Sequence, residues 1–174
     1  LTLLYAGRLS QDRGLLLYVD ILAELLKLGI PACLRLAGVF TPASEADRFN
    51  KHAEPIKEFI KFAGWINFEN MPAWLSQGDL GLALFKPEAR YVAAVPVKLF
   101  EYMAVGLPVL ASSFPANSKI IEESHCGLLI DPASSPLAIA STIAAWWRYP
   151  DQARVAGERG RQAILERYNF ERLA

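Results

Sequence analysis

The sequence predicts an α/β domain in which about six parallel strands form one Rossmann-like sheet with helices on both faces. Short apolar segments alternate with longer segments of helical character along the whole chain. The apolar segments are continuous rather than alternating, which is typical of strands buried on both faces. With 174 residues, 53% of them hydrophobic, the chain can bury the core of one domain. It contains no internal repeat or linker, so we expect residues 1–174 to form a single domain.

Each predicted strand is a short apolar run bounded by glycine, proline or polar residues. The first run, LTLLYAG, ends at Gly7, and the others follow the same pattern. Such runs are long enough for strands but short for helices. The six strands are expected over residues 1–7, 32–39, 60–66, 79–85, 108–112 and 127–132.

The first predicted helix shows how the helices are recognised. Asp20, Glu24 and Lys27 are four and three residues apart, so its charged residues share one narrow stripe and the rest of its surface is apolar. Gly29 and Pro31 end it. Ligands of parallel sheets bind at the carboxyl ends of the strands, so the loops that follow strands are the candidate sites. Helices are expected over 14–28, 41–59, 69–77, 96–105, 135–147 and 151–172, and loops over 86–94 and 112–119.

Composition argues against several functional classes. The 18 basic residues balance the 18 acidic ones, so we expect no nucleic-acid partner. Cys33 and Cys126 lack paired spacing, and His52 and His125 lack neighbouring ligands, which predicts buried thiols in a reducing cytosol and no metal site. No apolar run reaches the roughly 18 to 20 residues that span a bilayer. The chain starts at Leu1 inside a predicted strand, so we expect a piece of a longer cytoplasmic protein.

The helix within PVKLFEYMAVG combines features of an anion site. The main-chain N–H groups of Val97 and Lys98 lie in its first turn, where the helix dipole favours an anion. Glu101, one turn further, could accept hydrogen bonds from a diol such as ribose. An ordinary Lys–Glu surface pair, worth about 0.3 kcal/mol, explains the pattern equally well. Helical spacing places Lys98, Glu101, Tyr102 and Val105 on one face, and the side expected to be buried carries Leu99, Phe100, Met103 and Ala104.

The loop GRLSQDRG places two guanidinium groups at the end of the first strand. Arg8 follows the strand directly, and Arg13 precedes the first helix. Gly7 allows the backbone to approach a ligand closely. Two arginines beside a helix N-terminus predict a diphosphate clamp, although two solvated surface arginines are the alternative.

Five segments, in order and with matching spacing, resemble retaining glycosyltransferases of the GT-B fold, the large group 1 family. YAGRLSQDRG resembles their GRL…KG signature, and PVKLFEYMAVGLPVLASS resembles their P-x-K-x-x-E-Y segment. IKFAGWINFENMPAWLSQGDLGLALFKP, CGLLIDP and YNFERLA resemble three further segments. The resemblance covers essentially the whole chain and identifies it with the C-terminal, donor-binding domain of such an enzyme.

The resemblance implies a role for each matching residue. Arg8 contacts the donor diphosphate, and Arg13 stands where the family usually has lysine; both are expected to stabilise the leaving group. Glu101 holds the ribose hydroxyls, and the main-chain N–H groups of Val97 and Lys98 meet the phosphates. The donor base is expected at the turn formed by Gly64, Trp65 and Ile66, where Trp65 either stacks on the base or packs internally.

One position departs from the family pattern. The family's first glutamate, which touches the sugar, would fall at position 93, where this chain has Ala93. Glu88 and Arg90 lie in the same loop, but at different spacing. This departure keeps a non-catalytic nucleotide-binding or scaffold domain open as an alternative. A nucleotide-sugar epimerase of the same fold is a second alternative, whereas a dinucleotide-dependent dehydrogenase would need a G-x-G-x-x-G fingerprint, which the loop lacks.

The implied reaction is transfer of a sugar from a nucleoside diphosphate with retention of anomeric configuration. It needs no cofactor, and the nucleotide sugar is a substrate. The acceptor is expected on an N-terminal domain absent from this chain, so we expect the chain alone to bind nucleotide without transfer. The family branch points to a bacterial polysaccharide or glycolipid pathway and leaves room for peripheral contact of the parent protein with the inner face of the membrane.

Overall fold

The computed structural model describes residues 1–168 and contains a single six-stranded sheet within them. All strand pairs are parallel, and the strand order is β3-β2-β1-β4-β5-β6. This confirms the predicted fold class and each of the six predicted strands. The strands are β1 (Thr2–Ala6), β2 (Cys33–Ala37), β3 (Ile60–Phe62), β4 (Leu80–Ala83), β5 (Val109–Ser112) and β6 (Gly127–Ile130).

Helices cover both faces of the sheet, because successive strand residues point to opposite sides. Leu3 shares one core with Leu22 and Ile143, while the adjacent Leu4 shares a second core with Leu99 and Ile121. Leu3 and Leu4 are fully buried. The helices of the described part are α1 (Leu15–Lys27), α2 (Glu45–Ala53), α3 (Met71–Leu75), α4 (Ala89–Val92), α5 (Val97–Ala104), α6 (Pro115–Ser124), α7 (Pro136–Trp147) and α8 (Pro150–Glu166).

Several predicted boundaries were wrong. The predicted loop over 112–119 contains most of the first two turns of α6, and the predicted loop over 86–94 contains the short α4. The helix expected over 41–59 gives way after Ala53 to a 3-10 segment, Glu54–Phe59, in which Pro55 stands at the start. The third strand is only Ile60–Phe62. The last predicted helix ends at Glu166, and the end of the YNFERLA segment, 169–174, lies outside the described residues.

The predicted division of α5 into two faces was also wrong. Lys98 and Tyr102, expected on the polar face, are buried, and Ala104, expected to be buried, is exposed. Tyr102 points inward because its hydroxyl accepts a hydrogen bond from the Ala6 N–H at 3.2 Å and donates one to the Leu82 carbonyl at 3.3 Å. These two hydrogen bonds attach the helix to β1 and β4.

Two glycines bring the loops after β1 and β2 into contact. Gly7 and Gly38 both have φ of +136°, which favours glycine. A Cβ added at Gly38 would lie 1.7 Å from the Gly7 carbonyl oxygen. Side chains are therefore excluded here by backbone contact, and the loop that begins at Gly7 is held against the end of β2.

Within residues 1–168, no helix combines the length and the apolar character needed to cross a bilayer. The same residues contain no cluster of three or more histidine, cysteine or acidic side chains suited to a metal ion.

Candidate donor-binding site

A cavity of about 390 Å³ opens at the carboxyl ends of β1 and β4, next to the first turn of α5. Five residues predicted for the site line it. Arg8 and the turn at 64–66 do not. The lining is formed by Ala6, Gly7, Arg13, Phe85, Arg90, Tyr91, Ala94, Pro96, Val97, Lys98 and Glu101.

Arg8 lies beside the cavity rather than in its wall. Its neighbours in the chain continue the β1–β2 ladder, since the Gly7 N–H donates to Ala37 O and the Leu9 N–H to Val39 O, each at 2.9 Å. The Arg8 side chain is 38% exposed, and its Nη2 lies 3.3 Å from Asp12 Oδ2. The two arginines of the loop thus point to different places, with only Arg13 in the cavity wall.

Asp12 is the residue that sequence reasoning missed. Its Oδ2 accepts hydrogen bonds from Arg8, from Arg90 Nη2 at 2.8 Å and, over a short distance, from the Tyr91 hydroxyl. Burial alone would raise the pKa of this carboxyl, but the hydrogen bonds and the positive charges of Arg8 and Arg90 lower it to about 2. Asp12 therefore ties the loop after β1 to α4. The sequence signal that could have identified Asp12 is its position four residues after Arg8, with which it pairs.

Both the side chain and the main chain of Lys98 belong to the candidate site. The side chain is buried, and its Nζ lies 4.6 Å from the centre of the Tyr5 ring and 5.4 Å from that of Phe85. Burial, and next the charge of Arg13, lower its pKa to about 8. Burial also raises the pKa of Tyr5 to about 12. The floor of the cavity is therefore a cation held over two aromatic rings.

The first turn of α5 is open to the cavity. Within the described residues no side chain caps this turn, which follows Pro96, and Val97 is 70% exposed. Unbonded N–H groups and the positive end of the helix dipole therefore lie at the cavity edge. Glu101 is exposed one turn further and also lines the cavity. The structure brings Val97, Lys98 and Glu101 together as the sequence predicts.

The turn at Gly64, Trp65 and Ile66 lies apart from this cavity. Gly64 has φ of +70°, and its carbonyl accepts a hydrogen bond from the Gly38 N–H at 2.8 Å, so the turn is attached to the loop after β2. Trp65 is 74% exposed and does not pack in the core. Trp65 and Ile66 border a separate recess of about 440 Å³.

The loop that lacks the family's first glutamate presents a cation instead. Ala93 is exposed and does not line the cavity. Arg90 and Tyr91 do line it, and Arg90 also pairs with Glu88 at 2.8 Å. The cavity thus combines three cationic side chains with the single carboxylate of Glu101, an arrangement suited to an anionic ligand that carries hydroxyl groups.

A larger groove of about 600 Å³ lies over the edge strand β6, between α6 and α8. None of the residues predicted for the site lines it, so its size does not make it the candidate site.

Comparisons with known proteins identify a family and a shared fold. The family described as "Glycosyl transferases group 1" matches residues 1–148. The alpha-D-kanosaminyltransferase of Streptomyces kanamyceticus is 23% identical over 133 residues, which cover 76% of this chain and 33% of that enzyme. The chain spans 31–46% of the length of the five curated relatives it matches.

Two solved structures share the fold. The C-terminal domain of a group 1 family glycosyl transferase (LpcC) from Francisella tularensis has a TM-score of 0.80 at 19% identity and covers 97% of this chain and 86% of that one. Anabaena Alr3699/HepE, in complex with UDP-glucose, has a TM-score of 0.77 at 18% identity, covering 97% and 44%.

Proposed function

Because this chain belongs to the group 1 glycosyltransferases, we propose that it is the part of such an enzyme that binds the nucleoside-diphosphate sugar donor. One observation carries the proposal: Arg13, Lys98, Glu101 and the open first turn of α5 meet in a single cavity at the carboxyl ends of the strands. Cations and N–H groups suit the diphosphate, and the carboxylate suits the ribose hydroxyls.

The protein groups act on the bond between sugar and diphosphate by stabilising the leaving group. Negative charge grows on the diphosphate as the bond breaks, and we expect Arg13, the α5 N-terminus and Arg8, which lies beside the cavity, to offset it. Deletion of one such donor typically costs about 2 to 4 kcal/mol of barrier. We propose that the parent enzyme transfers the sugar with retention of configuration, as the resemblance to retaining group 1 enzymes implies, with the acceptor held mainly by an N-terminal domain.

UDP is the first nucleotide to test as a ligand of the proposed site. The related HepE structure contains UDP-glucose, and this chain shares its fold. Calorimetric titration of the chain with UDP, GDP and ADP tests the donor site directly. We expect one of the three to bind more tightly than the others, since the family resemblance implies that the turn at 64–66, which lies outside the cavity, contacts the base. Absence of binding by all three would contradict the proposal.

The exposed Ala93 favours one second candidate, a nucleotide-binding domain without transferase activity. Product analysis with the longer parent protein separates the candidates. A glycoside that keeps the anomeric configuration of the donor supports the transferase. A changed nucleotide sugar would indicate an epimerase, and binding with neither reaction would indicate a scaffold.

A further inference from the structure

Lys98 is a buried cation that lacks a carboxylate partner among residues 1–168. The residue is 7% exposed, and no described acidic group forms an ion pair with it. Nζ donates one hydrogen bond, to the Tyr5 hydroxyl at 3.4 Å. An ammonium group has three N–H donors. Buried charges are normally paired, so this group is poised for an anion that comes from outside the chain.

Lys98 Nζ lies against Gly7, at the start of the loop that carries Arg8 and Arg13. A Cβ added at Gly7 would lie 3.1 Å from Lys98 Nζ, so only the glycine backbone separates the ammonium from the loop that carries Arg8 and Arg13. Lys98 and Gly7 both line the cavity. The group is therefore in the cavity floor, beside the two arginines proposed for the phosphates.

The groups that face Lys98 act on its charge in opposite directions. From the loop after β1 come Arg13 and Arg8, which repel the ammonium and lower its pKa, whereas Glu101 of α5 raises it. From β1 comes Tyr5, neutral because its pKa is about 12, whose ring and hydroxyl contact Nζ. Burial is the largest influence, and together with the three charges it holds the pKa of Lys98 at about 8.

We propose that the Lys98 ammonium binds the donor diphosphate directly. The inference rests on the proposed donor site and extends it, because sequence reasoning gave Lys98 only a main-chain role. The phosphate oxygens accept hydrogen bonds from Nζ, and any Lys98 that is neutral in the free protein takes up a proton from the buffer on binding. No covalent bond of the nucleotide changes.

Proton uptake gives the inference a quantitative test. At pH 8.0 roughly half of Lys98 is neutral in the free protein, since its pKa is about 8. A nucleoside diphosphate is already deprotonated at that pH, because its terminal phosphate titrates near 6. Binding of UDP should therefore take up about half a proton per site.

The experiment is calorimetric titration at pH 8.0 with UDP, GDP and ADP, in Tris and in HEPES, two buffers with different heats of ionisation. The wild-type chain should show a buffer-dependent heat that corresponds to proton uptake. Lys98→Met should bind the same nucleotide at least about tenfold more weakly at pH 7 and take up no proton. Lys98→Arg should bind without uptake, because arginine stays protonated. Lys61→Met, at an exposed lysine of β3, is the matched control and should behave as wild type.

The outcomes separate the two levels of inference. Binding of the nucleotide by Lys98→Met as tightly as by wild type contradicts the Lys98 assignment alone, as does proton uptake retained by Lys98→Arg. Binding of none of the three nucleotides contradicts the donor site and the Lys98 assignment together. Thermal melting checks that each variant folds, and if Lys98→Met does not, the wild type and Lys98→Arg still decide.

Discussion

At the scale of single residues, Asp12 organises the site without facing the cavity. One carboxylate oxygen accepts hydrogen bonds from Arg8 in the loop after β1 and from Arg90 and Tyr91 of α4. The position of both arginines therefore depends on Asp12. A diphosphate that enters the cavity would meet cations already placed by this carboxylate.

Asp12→Asn should lower the free energy of unfolding by about 2 kcal/mol at pH 7. The pKa of Asp12 is about 2 in the folded protein and 3.8 in its ordinary state, and each unit corresponds to about 1.4 kcal/mol. The folded pKa is the lower one, so the stabilisation is present above pH 3.8 and is lost as the pH falls from about 4 to about 2. Urea unfolding at a series of pH values measures it. Asp151→Asn, at a carboxylate that is 93% exposed, is the control and should change little. Equal losses in both variants would contradict the role of Asp12.

Lys98→Met should stabilise the free protein by about 3 kcal/mol near pH 7. The pKa of Lys98 is about 8 in the folded protein, against 10.5 in its ordinary state, so the fold disfavours the charged form. The unfolded chain binds more protons between those values, and wild-type stability therefore rises with pH across them. The advantage of the variant should fade from pH 8 to about 10.5. A stability difference that stays constant over this range would show that the charge of Lys98 is not the cause.

The sequence could locate these residues but not their partners. Helical spacing put Lys98 and Tyr102 on a polar face because both carry polar groups. The structure buries them, since Tyr102 bonds to Ala6 and Leu82 and Lys98 lies over Tyr5, all of which are distant in sequence. Such pairings follow from the arrangement of the sheet, which a one-dimensional pattern does not contain.

At the scale of elements, the strands were predictable and two helices were not. Continuous apolar runs mark strands buried on both faces, and all six were found. α6 was missed because its first turns, Pro115 to Ser118, consist mostly of residues that favour turns and caps over helix interiors. It forms because Ile120 and Ile121 pack into the second core and the buried Asn117 donates to the Ser112 carbonyl at 3.0 Å.

Two glycine substitutions should separate effects on the site from effects on stability. Gly38→Ala would place Cβ 1.7 Å from Gly7 O, and Gly157→Ala would place Cβ 2.0 Å from Gly106 O. Each substitution should lower the free energy of unfolding by about 1 to 3 kcal/mol or more, because the backbone oxygen cannot move away from the added Cβ without distorting the fold. Only Gly38→Ala should also weaken UDP binding among folded molecules, since it displaces the loop at Gly7. Melting temperature and calorimetry measure the two effects. A similar loss of UDP affinity in both variants would contradict the local role of Gly38.

At the scale of the whole molecule, the parallel sheet explains why the site lies where it does. The strands are parallel, so the loop that follows each strand lies at the same edge of the sheet. Gly7, Phe85 and the start of α5 therefore meet although they are up to about ninety residues apart. This convergence could be predicted from the strand order. The separate position of the turn at 64–66 could not, because it depends on contacts between the loops after β2 and β3.

The chain by itself should bind nucleotide without transferring sugar. It spans 31–46% of the curated relatives it matches, and we propose that the acceptor is held mainly by an N-terminal domain. Incubation with UDP-glucose and a range of sugar acceptors, followed by chromatography of the products, tests this. Rapid formation of a glycoside by this chain would contradict the proposed division of roles.

The measurement that tests the central claim most directly is a comparison of UDP and pyrophosphate binding by wild type, Arg8→Ala and Glu101→Ala. If Arg8 contacts the diphosphate, its loss should weaken both ligands by about tenfold or more, as expected for a hydrogen bond to a charged group. If Glu101 holds the ribose, its loss should weaken UDP and leave pyrophosphate unchanged. Arg161→Ala and Glu122→Ala, at exposed helical positions, are the matched controls. Equal affinities of wild type and both variants for UDP would contradict the donor site.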